Sequence, residues 1–420
     1  MIRLAEVERA NNGGASMVLI ARLRMFAVLA LGAALSGCVG DKAEFVHSVW
    51  RTGDAAPIVS TVFYVTDREP DKAWPGGFAK HWGDTPSCGA TEATIPALNL
   101  PNQPIPTGTI RPISTLQCGS GMEGIASAIA LAARAKDCNE VFLYIHGFNT
   151  LFNGAALRAG QLVDDTKSGC VAAAFDWTSE GEIGRYIPDI EHSAYAAPLL
   201  AEFLRALAAQ GLRIDILGHS MGNRLLLQSL AALARCAGPP REDFIDQVIL
   251  AAADVGADPV NNDFAHLLAD ARPFAHRVTI YASAGDAVLA VSAVAHGNVP
   301  RAGHRPLGDG PLQTPRATDH IVDVVDATDA PAELLGHSYF GMSYEAISDV
   351  ALILRGVPVE ARTDTLVCKT HDDGPCDPAL PHYRLIVADD RKPDFFVRLI
   401  RKLAPLVPRL ELTPLTGSPE

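Results

Sequence analysis

The amino-acid sequence predicts an α/β fold in which a mostly parallel sheet is covered by helices on both faces. From residue 140 onwards, short and almost continuously apolar segments alternate with longer segments of helical periodicity. This alternation is typical of βαβ units, whose strands are buried on both faces. The chain has 420 residues, of which 48% are hydrophobic, enough for a large core. Its formal net charge of -13 gives no electrostatic reason to expect a nucleic-acid partner.

The N-terminus has the pattern of an export signal. Arg22 and Arg24 precede an apolar run, Met25 to Leu35, that is too short to span a bilayer comfortably. The run ends in Leu-Ser-Gly-Cys38, which resembles the processing site of bacterial lipoproteins. A plain signal peptide or an anchor helix is the alternative interpretation. We expect residues 1–37 to be a lipoprotein-type signal peptide, Cys38 to carry lipid, and the protein to be membrane-anchored in a bacterial cell envelope, on the periplasmic side or at the outer membrane.

The elements follow in order from a predicted tether over residues 38–57. The β-branched and aromatic residues at 58–66 predict the first strand. Residues 84–115 are rich in Pro, Gly, Ser and Thr and are expected to form loops and short strands, and alanine-rich residues 122–136 a helix. Further strands are predicted at 140–146, 170–177, 213–217, 246–253, 277–283 and 321–325, and helices at 153–167, 194–210, 223–237, 261–272 and 344–355. Residues 58–356 are thus predicted to form one domain, with an irregular C-terminal extension over residues 357–420.

The segment Gly218-His219-Ser220-Met221-Gly222 matches the pattern G-x-S-x-G, which is a weak signal by itself. Here the pattern lies between a predicted strand and a predicted helix, as a nucleophile elbow requires. The two glycines leave room for neighbouring elements to approach closely. The N-terminus of the helix directs amide N–H groups towards any negative charge that forms nearby. We therefore interpret Ser220 as a nucleophile rather than as a serine in an ordinary turn.

A serine hydroxyl needs a general base, and the chain order expected after an elbow of this kind is Ser, then Asp or Glu, then His. His337 fits this order because it follows the predicted strand 321–325 and precedes the last predicted helix. Six other histidines either precede strands, have no clear placement between strands, or follow the last helix: His276, His296, His304, His320, His371 and His382. The sequence thus favours His337 as the base.

Two aspartates end predicted strands after Ser220, namely Asp254 and Asp286. The acid of a triad holds the imidazole in one tautomer and stabilises its charged form. Asp286 is favoured because it follows the strand immediately before the strand of His337. Asp254 remains open as a helix cap or a residue that lines the site, and Asp323 and Asp326 are interpreted as structural turn residues.

The predicted oxyanion hole uses two backbone amides. One is that of Met221, directly after the nucleophile, and the other comes from the loop after an earlier strand. The run His146-Gly147-Phe148-Asn149 follows the strand 140–146, and its glycine lets the backbone come close. We expect the amide of Phe148 to be the second donor. No zinc-type spacing of Cys or His is present, so neither a metal nor a cofactor is predicted.

From about residue 61 to 355 the chain resembles the α/β-hydrolase superfamily, and within it a bacterial family of uncharacterised esterase-like or lipase-like proteins. The blocks that carry the resemblance are VFYVTDR, FLYIHGFNT, FDWTSEG, YIPDIEHS, LGHSMGNRLLL, VILAAADV, VTIYASAGDAVL and GHSYF. The resemblance implies an α/β-hydrolase fold and a serine hydrolase with the triad Ser220, Asp286 and His337. It also implies that the strands beginning near Cys138 and Cys170 are neighbours, and we therefore predict a disulfide between these two cysteines.

The sequence therefore predicts an exported, lipid-anchored serine hydrolase that cleaves small-molecule or lipid esters. An amidase or a thioesterase would use the same residues. A lipoprotein that keeps the scaffold for binding or assembly is the alternative from another class. A disulfide between Cys368 and Cys376, which bracket a turn-rich segment, is plausible in an oxidising compartment. Aromatic residues near the site, Trp177, Tyr186 and Tyr195, either line an acyl pocket or serve packing. Neither the substrate nor the oligomeric state follows from the sequence.

Overall fold

The computed structural model describes residues 46–98, 108–118, 121–167, 170–180, 185–236, 244–258, 263–304, 321–369, 374–376 and 382–403. The predicted signal peptide and Cys38 lie outside these described residues, as do His320 and His371. Within the described residues, no helix combines the length and the apolar character that a membrane span requires.

The main sheet has parallel strands at its centre and antiparallel strands at both edges. The strands are β1 (Ser48–Thr52), β2 (Ile58–Pro70), β3 (Phe78–Ile95), β4 (Ala97–Leu98), β5 (Thr109–Gln117), β6 (Glu140–Ile145), β7 (Val171–Asp176), β8 (Arg213–His219), β9 (Ile245–Ala251), β10 (Ala275–Ala282), β11 (Val322–Asp326), β12 (Leu366–Lys369) and β13 (His382–Leu385). Their order in the sheet is β12-β13-β11-β10-β9-β8-β6-β7-β2-β3-β5. All neighbours from β13 to β2 are parallel, whereas β12 and the pair β3 and β5 are antiparallel.

Helices cover both faces of this sheet. They are α1 (Glu123–Ala135), α2 (Phe152–Thr166), α3 (Tyr186–Ala209), α4 (Met221–Cys236), α5 (Asp263–Ala271), α6 (Ala287–Ala295), α7 (Tyr339–Met342), α8 (Tyr344–Leu354) and α9 (Phe395–Leu403). Alternate residues of β6 enter two separate cores: Val141 and Leu143 pack with α1, α3, α4 and α5, and Phe142 and Tyr144 with α2 and α8. Burial on both faces explains the continuous apolar strands. The predicted α/β fold is confirmed.

The N-terminal edge is more regular than its composition suggests. The first part of the segment 84–115, expected to contain loops and short strands, instead belongs to β3, which is 18 residues long and pairs with β2 and with β5. Residues 99–107 of that segment lie outside the described residues. An antiparallel edge hairpin is held by main-chain hydrogen bonds and needs apolar residues on one face only, so its polar sequence gives little signal. Part of the predicted tether also packs on the domain: β1 pairs with β4, and the Ser48 hydroxyl donates a hydrogen bond to Asp165 at 2.5 Å.

The C-terminal extension is likewise not irregular throughout. Although 321–325 is the last strand evident in the sequence, β13 pairs in parallel with β11, and β12 adds to β13. These strands have four residues each, too short for a periodicity to be recognised. The ring of His382 in β13 lies 3.2 Å from a carboxylate oxygen of Asp326 in β11. The extension is therefore part of the same sheet.

Three disulfides lie among the described residues. Cys138 is bonded to Cys170 where the neighbouring strands β6 and β7 begin, and Cys368 is bonded to Cys376. A third bond, Cys88 to Cys118, was not predicted from the sequence because it joins β3 to the end of β5 across the edge hairpin. Cys88 and Cys118 become neighbours only through the pairing of β3 with β5, which the composition of this segment does not indicate.

Candidate active site

Ser220 occupies the single residue between β8 and α4. Its φ of 53° lies in the left-handed region, which costs a residue with a Cβ about 1–3 kcal/mol. Backbone hydrogen bonds hold the turn: the Ser220 amide donates to the carbonyl of Ala251 at 3.0 Å, and its carbonyl accepts from the amides of Asn223 and Asp254 at 3.1 Å each. The side chain of Ser220 is thus fixed at the carboxyl end of the central strands.

The glycines of the elbow and of the loop after β6 permit very close backbone approach. A Cβ at Gly222 would lie 2.3 Å from the carbonyl oxygen of His146, and one at Gly147 would lie 2.8 Å from the Cβ of Ser220. Side chains at either position would therefore push the two segments apart. The loop that contains Phe148, whose amide is the predicted second oxyanion donor, thus directly adjoins the elbow. Met221 is the first residue of α4, where helix geometry leaves the amide without an intrahelical acceptor.

His337 and Asp286 contact each other as the sequence predicts. Nδ1 of His337 lies 2.7 Å from Oδ2 of Asp286, and Oδ1 of the same carboxylate accepts from the amide of Leu289 at 2.9 Å, capping α6. The backbone of His337 is fixed by Glu333, which accepts from the amides of His337 at 2.6 Å and Ser338 at 2.9 Å. The imidazole lies beside the elbow, with its centroid 4.7 Å from that of the His219 ring.

The environment sets the protonation of this pair of rings. Burial lowers the pKa of His337, but the charge and the hydrogen bond of Asp286 outweigh it and raise the pKa above the ordinary 6.5. Burial, together with the neighbouring His337, lowers the pKa of His219 well below 6.5. His219 is therefore neutral at neutral pH. His337 can accept a proton and hold it as an ion pair with Asp286, which is the behaviour required of a general base.

Asp254, the alternative acid, has different partners. Its Oδ1 lies 2.7 Å from Nε of Arg301 and accepts from the hydroxyl of Ser292 at 2.7 Å. Its Oδ2 accepts from the hydroxyl of Tyr186 at 2.5 Å. Burial raises the pKa of Asp254, but the charge of Arg301 and the hydrogen bonds from the two hydroxyls lower it by more than burial raises it. The net shift is therefore downward. The carboxylate is thus a charged member of a buried polar cluster.

A second buried cluster supports the loop after β6, and sequence reasoning missed it. Nε of Arg68 donates to Asp176 at 2.8 Å, and its terminal nitrogens donate to the carbonyls of Thr150, Trp177 and Ser179 at 2.8–3.1 Å. Nε2 of His146 lies 3.1 Å from the other oxygen of Asp176. The clue in the sequence was the position of these residues inside the blocks VTDR, IHGFNT and FDWTS, at the ends of three adjacent strands.

Two of the aromatic residues considered as pocket lining lie elsewhere. Trp177 is fully buried and stacks on His146, and Tyr195 is 65% exposed on α3 beside Trp82. Tyr186 is part of the Asp254 cluster and contacts Phe148 edge to face. It is also the first residue of α3, which begins eight residues earlier than predicted because Pro188 is tolerated in a first helical turn.

One group of possible metal ligands exists among the described residues. Ligand atoms of Glu180, Asp189 and His192 lie within 4.8 Å of one another. Both carboxylate oxygens of Glu180 already accept from Arg185 at 2.6 and 2.7 Å, and Asp189 accepts from the hydroxyl of Ser179 at 2.6 Å. The two carboxylates are thus already hydrogen-bonded within the protein, and we assign no metal to this group.

Comparison with known proteins gives a family match over much of this domain. Residues 126–355 match the family described as alpha/beta hydrolase of unknown function (DUF900). Among solved structures, an esterase from Pyrobaculum calidifontis is 12% identical, with 72% of this chain and 86% of that chain covered and a TM-score of 0.33. Carboxyl esterase 2 from the fungus Tuber melanosporum is 11% identical, with coverages of 73% and 90% and a TM-score of 0.36. No curated protein matches the chain.

Proposed function

The chain belongs to the family of α/β hydrolases of unknown function, and from that premise we propose that it is a serine hydrolase that cleaves carboxylic esters through an acyl-enzyme on Ser220. The single observation that carries the proposal is the contact of 2.7 Å between His337 and Asp286 beside a serine held at positive φ. A buried carboxylate that binds Nδ1 leaves Nε2 of the imidazole free to take a proton.

In the proposed reaction, Ser220 Oγ attacks the carbonyl carbon of the ester while His337 takes its proton. The amides of Phe148 and Met221 donate to the oxyanion that forms, and two such donors contribute on the order of 3 kcal/mol each. The imidazolium, stabilised by Asp286, returns the proton to the leaving alcohol. Water then attacks the acyl-enzyme by the same route, so that the acid is released and Ser220 is restored.

Reaction with a fluorophosphonate probe tests the nucleophile. We expect the intact protein to be labelled once, at Ser220, and Ser220→Ala to remain unlabelled. Ser229→Ala is the matched control, because Ser229 lies in α4, the helix that follows Ser220, and its buried hydroxyl donates to the carbonyl of Leu225. Labelling of Ser220→Ala at the wild-type rate would refute the assignment. Parallel assays with p-nitrophenyl esters and the corresponding anilides and thioesters separate an esterase from an amidase or a thioesterase.

Export and anchoring through Cys38 form a separable part of the proposal. Three disulfides among the described residues support an oxidising compartment, since such bonds are rare in the cytosol. We expect Cys38→Ala to prevent incorporation of radiolabelled palmitate in a bacterial host. Undiminished incorporation would rule out lipidation at this cysteine.

A further inference from the structure

Helix α9 is oriented opposite to an ordinary surface helix. Its apolar residues face solvent: Phe395 and Phe396 are each 72% exposed, and the others exposed are Leu399, Ile400 and Leu403. Arg401, on the opposite side of the same helix, is only 5% exposed. A helix that packs on a globular protein normally buries its apolar face and exposes its charges. The orientation of α9 therefore leaves an apolar strip available to something outside the domain.

Arg401 attaches this helix to the loop that carries His337. Its Nε donates to the carbonyl of Leu334 at 3.1 Å, and a terminal nitrogen donates to the carbonyl of Glu333 at 2.9 Å. The guanidinium packs on Gly336, where a Cβ would lie 2.7 Å from Cζ of Arg401. The apolar strip is thereby held at a defined position relative to the active-site edge of the sheet.

The charges beside the strip are positive. Helical periodicity places Arg398 and Lys402 along one margin of the strip, and both side chains are exposed. Arg398 also lies 3.7 Å from Asp329 and donates through Nε to the carbonyl of Pro393, and its side chain remains 51% exposed. Bulky apolar residues on one face with basic residues beside them are the pattern of a helix that lies in the interface of a bilayer, with attraction to anionic headgroups.

We propose that α9 docks on the surface of an anionic phospholipid bilayer, with Phe395, Phe396, Leu399, Ile400 and Leu403 inserted at the boundary of headgroups and acyl chains. Because Arg401 fixes α9 to the loop of His337, docking would hold that loop near the lipid surface. A second copy of the chain fits less well, since an antiparallel two-fold contact through this strip would bring the basic margins of both copies together. The docking depends neither on hydrolysis nor on lipid at Cys38.

Tryptophan quenching tests the depth of α9 directly. The full chain is prepared as Phe396→Trp and as the control Leu131→Trp, whose position is 68% exposed on α1. Vesicles of phosphatidylglycerol with brominated acyl chains should quench the tryptophan at 396, relative to wild type, and leave that at 131 unchanged. Because both variants keep the same N-terminus, any contribution of an anchor is common to both. Equal quenching at the two positions, or none at 396, would overturn the proposal.

The charged margin supplies a second test. Arg398→Gln with Lys402→Gln should weaken binding to phosphatidylglycerol vesicles by about 25-fold, because each basic residue contributes roughly fivefold, and should change binding to phosphatidylcholine little. Both side chains are exposed and Arg401 is retained, so the thermal unfolding temperature serves as the check on folding. Equal binding of the variant and the wild type to both lipids would contradict docking through headgroup charge. If the wild-type protein forms dimers that Phe396→Ser abolishes, and vesicles do not quench the tryptophan of Phe396→Trp, the strip is instead the contact with a second copy.

Discussion

The loops after β9 and β10 each place a buried aspartate at the same edge of the sheet, yet the two carboxylates have different partners. Asp254 is neutralised by Arg301 and accepts from two hydroxyls, so its charge is fully compensated within its own cluster. Among the described residues, no arginine or lysine forms an ion pair with Asp286, which caps α6 and binds the ring of His337. Their positions after neighbouring strands make both aspartates candidates for the acid of the triad. The position of Arg301 decides between them, because it pairs with Asp254 and leaves Asp286 to bind the imidazole.

The largest effect is expected on catalysis, when Asp286 loses its carboxylate. Asp286→Asn should lower kcat for a p-nitrophenyl ester by about three to four orders of magnitude, because an amide cannot fix the tautomer or stabilise the imidazolium. Asparagine still caps a helix, so the free energy of unfolding should change little. Steady-state kinetics measures the change in kcat, and urea unfolding measures the change in the free energy of unfolding. A loss of activity no greater than that of Asp254→Asn would contradict the assignment of Asp286.

The effect at the other aspartate should be on stability. Asp254→Asn leaves the guanidinium of Arg301 buried without a counter-ion, which costs about 3–5 kcal/mol of unfolding free energy. Adding Arg301→Met removes the uncompensated charge and should restore part of that loss, which urea unfolding of the single and double variants measures. The pKa of Asp254 is lowered in the folded state. The difference in unfolding free energy between Asp254→Asn and wild type should therefore be fully present above about pH 4 and should narrow as the pH falls further. A difference that grows under acid conditions would contradict this account.

The smallest expected effect is on the pH profile. His337 must be neutral to accept the proton of Ser220, and its raised pKa places the acid limb of kcat/KM above pH 6.5. Glu333 is a lesser contributor to this shift, after Asp286, so Glu333→Gln should move the limb to lower pH. A full pH profile of each protein gives the comparison. An unchanged or raised midpoint in Glu333→Gln would show that another group controls the limb.

The elements that sequence reasoning predicted are those buried on both faces. The strands from β6 to β11 are mostly apolar and are buried on both faces, and the pattern around Ser220 contains the glycines that the close packing of the elbow requires. The contact between Asp286 and His337 follows from strand order in such a sheet. The assignment of their catalytic roles remains a prediction.

The elements that escaped prediction depend on contacts between distant segments. The polar strand β3 gains its structure from pairing with β2 and β5, and the four-residue strands β12 and β13 gain theirs from the edge of β11. The carbonyl partners of Arg68 come from two loops, one after β6 and one after β7, that no local pattern connects. Helix α9 escaped because its periodicity indicates a helix face but not that the apolar side points outward.

The position of Arg68 has a consequence for where this protein can be divided. The family match begins at residue 126, but the guanidinium that holds the loops of Thr150 and Trp177 comes from β2, far upstream of that boundary. A fragment starting at residue 126 would lose the central cation of the cluster and leave the carboxylate of Asp176 buried beside an uncharged gap. We therefore expect the smallest unit that unfolds cooperatively to include β2, so that the boundary of the family match does not coincide with a folding boundary.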